Sequence, residues 1–484
     1  MMQPEVYMMT TGTQQAVNKT AILAIILTSY VMIVLDTSIV LTGLPNIHRE
    51  LGFTDPELAW VQSAYTLTFG GFLLLGARAG DILGRRRMLN IGLGLFTVSS
   101  LAIGLSESPA FMIGARAVQG IGGAILAPAT LSLLQTTFAA GHERTKAVSY
   151  YSAVAGIAAS VGLVLGGILA DWLSWRVGFF INLPIGLGMI AASLRFIPES
   201  TRQEGRFDLA GALTATVGMV AIVYGLIRSA SHGWGDPETL AVIAVAIALI
   251  VAFVFVECRA AQPIVPLRLF ASRERAGAYA ARVLFLGSMV GFFFFTTQFL
   301  QSVLGYTAAE SGLAFLPATL VNFVSAMLVP RLTPKLGNGR LLAIGLVLSF
   351  AGMFWLSRVT ANADFLSAVA LPMVLIGWGQ GFVLGPLTTA GISGVARADA
   401  GAASGVVNTA HQLGNSLGLA ALVAAAAFGT SGLSGPDLLA HRVTIALSGS
   451  SIMMALALLI ALAFLTRNAR PASPPEGNIQ RART

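Results

Sequence analysis

Long apolar runs alternate with short polar breaks along the whole 484-residue chain. A helix that crosses the hydrocarbon core of a bilayer needs roughly 20 mostly apolar residues. The pattern predicts fourteen such helices, at about 21–43, 58–76, 88–106, 110–135, 147–170, 177–197, 209–228, 239–257, 277–302, 312–330, 340–357, 366–390, 402–428 and 443–466. The runs are too long and continuous for the alternating segments of a membrane β-barrel. We therefore predict an all-α integral membrane protein.

The composition agrees with this fold class and narrows the function. The chain is 55% hydrophobic and only 10% charged, whereas soluble domains carry about 25% charged residues. A soluble enzyme and a disordered protein are excluded. The single cysteine, Cys258, excludes a disulfide within the chain and a cysteine-based metal cluster, and we expect no metal or cofactor.

The net charge of +8 at first suggests nucleic-acid binding. An even number of helices, however, places both termini on one side of the membrane, and 23 of the 29 basic residues fall on that side, against five opposite and Arg116 within a span. Lys and Arg are enriched in cytoplasmic loops. We therefore expect a multi-pass protein of the plasma membrane with both termini in the cytoplasm, and no nucleic-acid partner.

Two pairs of matching segments suggest an internal repeat. Gln119-Gly120 before Pro128 resembles Gln380-Gly381 before Pro386, and residues 160–163 (SVGL) resemble 416–419 (SLGL). Parallel six-helix repeats are a standard architecture of secondary transporters. The expected 6 + 2 + 6 layout has an N-terminal tail (1–20), a six-helix bundle (21–197), linkers with two inserted helices (198–275), a second bundle (276–466) and a C-terminal tail (467–484).

Asp36 and Arg116 are the charged residues placed well inside predicted spans. An acid in hydrocarbon is costly, so it faces a cavity, pairs with a partner or is protonated. Counting 1.5 Å per residue from the helix ends places both side chains at similar depth. If their helices are neighbours, Asp36 is a candidate proton carrier and Arg116 its partner. A structural helix–helix hydrogen bond or a static ion pair is the alternative.

Five segments in order resemble motifs of the major facilitator superfamily, specifically its fourteen-helix drug:proton antiporters. They are 35–40 (LDTSIV) before Leu44-Pro45, 76–89 (GARAGDILGRRRML), 116–122 (RAVQGIG), 175–186 (WRVGFFINLPIG) and the 404–418 stretch. The resemblance covers nearly the whole chain. It implies a major facilitator fold that exchanges exported compounds for protons. The chain departs from the family pattern at Ala77, where a glycine is usual, and at Leu163, where the antiporter motif has proline.

The resemblance also implies two conformational elements. Asp81, Gly84, Arg85 and Arg86 correspond to a conformational latch at the cytoplasmic end of the second helix; for the arginines, plain positive-inside charge is the alternative. Gly162, Gly166 and Gly167 correspond to a hinge in the fifth helix. Small residues four apart allow two helices to approach closely, so simple packing is the alternative there.

The candidate substrate pocket consists of polar and aromatic residues inside the spans, each of which also has a structural or lipid-facing alternative. They are Tyr30, Gln62, Tyr65, Gln119, Phe292, Gln298, Asn322, Gln380, His411 and Asn415. Such a lining suits amphipathic or cationic compounds.

We predict a proton-driven exporter of drug-like compounds that functions as a monomer. The alternatives are export of a native metabolite, lipid or siderophore, and proton-coupled uptake. An enzyme is not expected, because the five histidines are scattered and no phosphate-binding GxxxxGK[ST] loop occurs.

Overall fold

The computed structural model describes the chain in eight stretches: residues 18–139, 142–199, 208–260, 263, 265–360, 362–395, 400–429 and 433–465. Within them the structure is helical throughout, with no strand. The predicted C-terminal tail (467–484), and all but the last residues of the predicted N-terminal tail, lie outside the described residues. Helix α1 begins at Lys19, so the tail boundary predicted at residue 20 falls just inside it.

Fourteen long helices make up the described chain. They are α1 Lys19–Leu51, α2 Ala59–Leu83, α3 Arg85–Gly104, α4 Pro109–Thr137, α5 His142–Trp172, α6 Trp175–Phe196, α7 Leu209–His232, α8 Pro237–Arg259, α9 Arg273–Val303, α10 Ala308–Leu336, α11 Asn338–Leu356, α12 Leu366–Gly391, α13 Ala400–Ala426 and α14 Gly435–Leu465. Eleven are long and apolar enough to cross a membrane; the others are α2, α5 and α13.

The helix ends follow local sequence signals. Helix α4 begins at Pro109, in the first turn. Ser108 is its N-cap, because its hydroxyl accepts a hydrogen bond from the N–H of Phe111. Helix α1 continues through Pro45 to Leu51, eight residues beyond its predicted end, and stops at Gly52 in the left-handed region (φ +72°). The predicted bound at residue 43 is therefore wrong, because the internal proline does not end the helix.

The same pairwise packing occurs in two sets of helices, one from α1 to α5 and the other from α9 to α13. Helix α5 packs on α1, while α2 and α3 pack on α4; likewise α13 packs on α9, while α10 and α11 pack on α12. Between the sets, α7 and α8 form an antiparallel pair, and α7 also contacts α2 and α13. Only 11% of the most apolar 18-residue stretch of helix α8 is buried inside the protein, so its outer surface suits contact with lipid.

The bundle has two faces. The tail face is the end at which α1 begins and α14 ends, and the far face is the end at which α1 finishes. Close to the far face, the carboxylate of Asp171 in α5 accepts from the backbone N–H groups of Ala308 (3.1 Å) and Ala309 (3.0 Å). Gln301 donates to the carbonyl of Thr42 at 2.9 Å. These bonds join the two helix sets at the far face.

Candidate functional site

A buried ion pair joins α1 to α4. Arg116 Nη1 lies 2.7 Å from Asp36 Oδ2, and both side chains are completely enclosed. Arg116 Nε donates to the carbonyl of Val61 in α2 at 2.9 Å. The two charged residues that the sequence placed at similar depth are therefore in direct contact.

Three uncharged side chains complete the network around Asp36. Gln119 Nε2 donates to Asp36 Oδ1 at 2.8 Å, and Asn182 Nδ2 donates to the same oxygen at 3.0 Å. Both amide groups also reach the hydroxyl of Ser100 in α3. The Asp36 carboxylate thus accepts three hydrogen bonds. This arrangement suits an ionised acid, because an ionised carboxylate can only accept hydrogen bonds.

The polar network is larger than the sequence indicated. Sequence reasoning placed Gln119 in the substrate pocket, whereas it binds Asp36 and Arg116 directly. It quoted Asn182 only as part of the 175–186 motif, without a role, and did not name Ser100. A signal for Asn182 was present, since it is a polar residue between two apolar stretches of the predicted sixth span.

Aromatic and amide groups cover the arginine. The guanidinium carbon of Arg116 lies 4.5 Å from the centre of the Tyr65 ring, a cation–π distance. Among the described residues, three buried polar atoms here have no hydrogen-bond partner: Arg116 Nη2, Gln62 Oε1 and Tyr65 Oη. Gln62 and Tyr65, two of the predicted pocket residues, therefore lie beside the ion pair with spare hydrogen-bonding capacity.

Close helix contact brings these groups together. Gly120, one residue after Gln119, packs directly against the Tyr65 carbonyl and the Thr68 side chain of α2. The corresponding Gly381 of α12 packs against the Asn322 carbonyl of α10, where a Cβ would lie 2.7 Å from that oxygen. The matching sequence segments thus make matching helix contacts in the two sets.

The α2–α3 turn contains the predicted latch residues. Gly84 has φ +103°, and a Cβ there would lie 2.6 Å from Glu199 Oε1. The Glu199 carboxylate accepts from the backbone N–H groups of Arg86 and Arg87, both at 3.1 Å, at the positive end of α3. Arg85 lies in the same first turn. The side chain of Asp81 lies outside the described residues. Glu199 was missed, because it stands alone after the sixth span.

The predicted hinge glycines have two different partners. A Cβ on Gly162 would lie 2.7 Å from Ser38 Cβ, and one on Gly166 would lie 2.6 Å from Thr42 Oγ1, so both face α1. Gly167 instead faces α10, where a Cβ would lie 2.9 Å from Ala309 Cα. Two of the glycines therefore pack within one helix set, and the third packs between the sets.

The remaining predicted pocket residues are dispersed. The Tyr30 ring stacks on Tyr151 with centroids 3.9 Å apart, and Phe292 is buried against Phe315. Gln298 lines a small cavity of about 40 Å³ near the far face, together with Phe294 and Phe295. Asn322, Gln380 and Asn415 are partly buried in α10, α12 and α13.

A second buried arginine corrects one prediction. Arg282 was assigned to the cytoplasmic side, but it lies inside α9 and is 6% exposed. Its Nη1 donates to Thr388 Oγ1 at 2.9 Å, and its Nη2 lies 3.2 Å from Nδ1 of His411, a predicted pocket residue. Arg116 is therefore not the only basic residue within a span.

Comparison with known proteins agrees with this architecture. The model of the Major Facilitator Superfamily matches residues 26–419. The chain is 38% identical to the cephamycin export protein CmcT of Amycolatopsis lactamdurans, covering 94% of this chain and 93% of that protein. It is 38% identical to the puromycin resistance protein pur8 of Streptomyces alboniger (83% and 80% covered) and 34% identical to the multidrug resistance protein Stp of Mycobacterium tuberculosis (84% and 76% covered).

A solved structure matches at the level of fold. The peptide transporter POT in complex with sulfate superposes with a TM-score of 0.66 at 14% identity, covering 92% of this chain and 95% of that one. The chain belongs to the Major Facilitator Superfamily. It is a multi-pass membrane protein and a transporter, not an enzyme.

Proposed function

We propose that this protein exports drug-like, amphipathic or cationic compounds in exchange for protons. The observation that carries the proposal is the enclosed Asp36–Arg116 pair, an acid and a base in the interior of a membrane transporter. Relatives named for cephamycin export, puromycin resistance and multidrug resistance support the export direction.

Protonation of Asp36 is the proposed coupling step. An ionised Asp36 accepts from Arg116, Gln119 and Asn182 at once. Adding a proton removes the negative charge of Asp36, so its charge-assisted bond with Arg116 weakens. Protonation therefore loosens the junction of α1, α4 and α6. Asp36 loses its proton again when it re-forms the ion pair with Arg116.

Alternating access in a 6 + 2 + 6 arrangement is the proposed motion, with α1–α6 moving against α9–α14. Asp171 and Gln301 hold the sets together at the far face, so their bonds break when that face opens. Gly167 provides close contact between the sets. The Gly84 turn, with Asp81, Arg85 and Arg86, acts as the latch on the tail face.

The setting is proposed from the sequence. The protein works as a monomer in the plasma membrane, with the tail face in the cytoplasm, and needs no cofactor because the proton gradient drives it. At 100 mV, the potential supplies about 2.3 kcal/mol per charge moved. Its partners are the lipid bilayer, protons and a small-molecule substrate.

Transport in everted membrane vesicles tests the proposal. Adding a substrate should collapse an imposed acid-inside proton gradient with the wild type and not with Asp36→Asn. Asp437→Asn is a matched control, because Asp437 is exposed at the start of α14. Undiminished proton exchange in Asp36→Asn would overturn the carrier role.

The second candidate is export of a native metabolite, lipid or siderophore by the same fold, or uptake by symport. The relative named for cephamycin export favours a specific natural compound over a broad drug range. A substrate panel separates these cases. Response to one compound class indicates a dedicated exporter, while proton and substrate movement in the same direction indicates uptake.

A further inference from the structure

Arg282 lies deep in the second helix set. It is nine residues from the start of α9 at Arg273, about 14 Å along the axis at 1.5 Å per residue. Helix α9 is the most enclosed of the candidate spans, because 83% of its most apolar 18-residue stretch is buried inside the protein. The arginine is therefore held inside the protein and does not extend to a loop.

Both partners of Arg282 are uncharged. Thr388 uses its hydroxyl proton on the carbonyl of Leu384 at 2.8 Å, which leaves its oxygen to accept from Arg282. A guanidinium only donates, so Nδ1 of His411 must accept. The imidazole is then neutral, and its proton lies on Nε2.

The charge of Arg282 is not balanced by an acid within the described residues, where none of the ion pairs involves it. Asp399 lies outside those residues. Helix α13 begins at Ala400, eleven residues before His411, a separation of about 16 Å along the helix. A buried positive charge without a counter-ion is unfavourable, and it favours binding of an anion.

The free hydrogen-bonding groups are donors. Arg282 Nε is buried without a partner among the described residues, and His411 Nε2 carries the second available proton. An apolar cluster on the tail side, formed by Leu269, Tyr279, Ala403, Val406, Val407 and Ala410, limits water there. The free Nε donor of Arg282 and its full positive charge, in an apolar setting, complement a carboxylate or a phosphate.

We propose that Arg282, held by Thr388 and His411, forms a binding site for the carboxylate or phosphate group of an amphipathic anion. The inference rests on the proposed export function and narrows its substrates to compounds with an acidic group. Arg282 Nε donates to an oxygen of the anion, while Thr388 and His411 hold the guanidinium in position.

Two probes that share an aromatic body and differ in charge test the site: pyrenebutyrate and pyrenebutyltrimethylammonium. Binding to the purified full-length protein in phosphatidylcholine nanodiscs is measured by energy transfer from tryptophan to pyrene. We expect the anion to bind at least 10-fold more tightly than the cation. In Arg282→Gln the affinity for the anion should fall at least 10-fold, with no loss for the cation.

Three further variants keep the test decisive. Arg282→Lys retains the charge but loses the planar donor pair, so an intermediate affinity is expected; it also serves if Arg282→Gln fails to fold. Asp399→Asn should bind the anion as the wild type does, whereas a marked gain would identify Asp399 as the counter-ion and overturn the proposal. Asp36→Asn should abolish proton exchange and leave anion binding intact, which separates failure of this inference from failure of the proposed function.

Competition identifies the source of the anion. Displacement of pyrenebutyrate by inorganic phosphate or acetate indicates a site for soluble anions. Displacement only in nanodiscs that contain phosphatidylglycerol indicates a lipid headgroup. Either result supports the site, whereas equal binding of the two probes, or unchanged binding of the anion in Arg282→Gln, overturns it.

Discussion

The two buried arginines of this transporter stand in opposite electrostatic surroundings. Arg116 lies 2.7 Å from Asp36 and 2.9 Å from the carbonyl of Val61, so an adjacent acid balances its charge. Arg282 has a hydroxyl and a neutral imidazole. The same residue type is therefore paired with an acid in one helix set and bonded only to neutral groups in the other.

The difference indicates a division of roles. A compensated pair changes its bonding when a proton arrives, whereas an uncompensated charge changes its bonding when an anion arrives. Under the two proposals, the proton acts on α1 and α4, whereas the anion acts on α9, α12 and α13.

Replacing the arginines with methionine should expose the contrast most strongly. Arg116→Met leaves Asp36 buried without its counter-ion, and should lower the free energy of unfolding by about 3–5 kcal/mol. Arg282→Met removes an uncompensated charge and strands only neutral acceptors, so a change within about 1 kcal/mol is expected. Unfolding of the purified proteins in mixed micelles measures both. Equal losses would mean that Arg282 has a counter-ion after all.

Removing a neutral member of each network should have a smaller effect. Gln119→Leu removes bonds to Asp36 and Ser100 and leaves both partially unsatisfied, at a cost of about 1–3 kcal/mol. Thr388→Val removes a single bond to Arg282, with an expected cost of about 0.5–1.5 kcal/mol. The same unfolding assay applies. If Thr388→Val lowered the free energy of unfolding more than Gln119→Leu does, the Arg282 site would not be the one with fewer stabilising hydrogen bonds.

Making the second site resemble the first should weaken its anion binding. His411→Asp places a carboxylate beside Arg282, in contact range of Nη2. The affinity for pyrenebutyrate should fall about 10-fold, equivalent to 1.4 kcal/mol, because the new acid replaces the ligand as counter-ion. His411→Asn is the matched control, since it adds no charge and should retain most of the binding.

A third arginine, at the far face, provides the mildest test. Asp236 accepts from the N–H of Thr239 and from Arg228 Nε, both at 2.9 Å, and these bonds lower the pKa of Asp236 to about 2 from 3.8. A depressed pKa stabilises the fold above pH 3.8, and this contribution disappears as the pH falls towards 2. Asp236→Asn should lower the melting temperature at pH 7, where the wild type has the full contribution, and the two proteins should converge as the pH falls towards 2. An identical pH profile in the variant would contradict the assignment.

Fourteen helices could be predicted from the sequence because hydrophobic length is a property of single segments, and eleven of them are long and apolar enough to cross a membrane. A depth count placed Asp36 and Arg116 at a similar level, but their contact also requires that α1 and α4 are neighbours, which the structure shows. Arg282 was misplaced because it was counted with the cytoplasmic residues although the predicted span 277–302 contains it, and its burial against Thr388 and His411 reveals the error. The roles of Asn182 and Glu199 were missed because they depend on partners far away in the sequence.

The α7–α8 pair has a consequence for how the chain is threaded through the bilayer. Because the two helices run in opposite directions, they cross and return, and add no net crossing to the chain. Every helix from α9 onwards therefore points as it would if the pair were missing. Helices inserted between the two sets can therefore change in number only in steps of two if both sets keep their orientation.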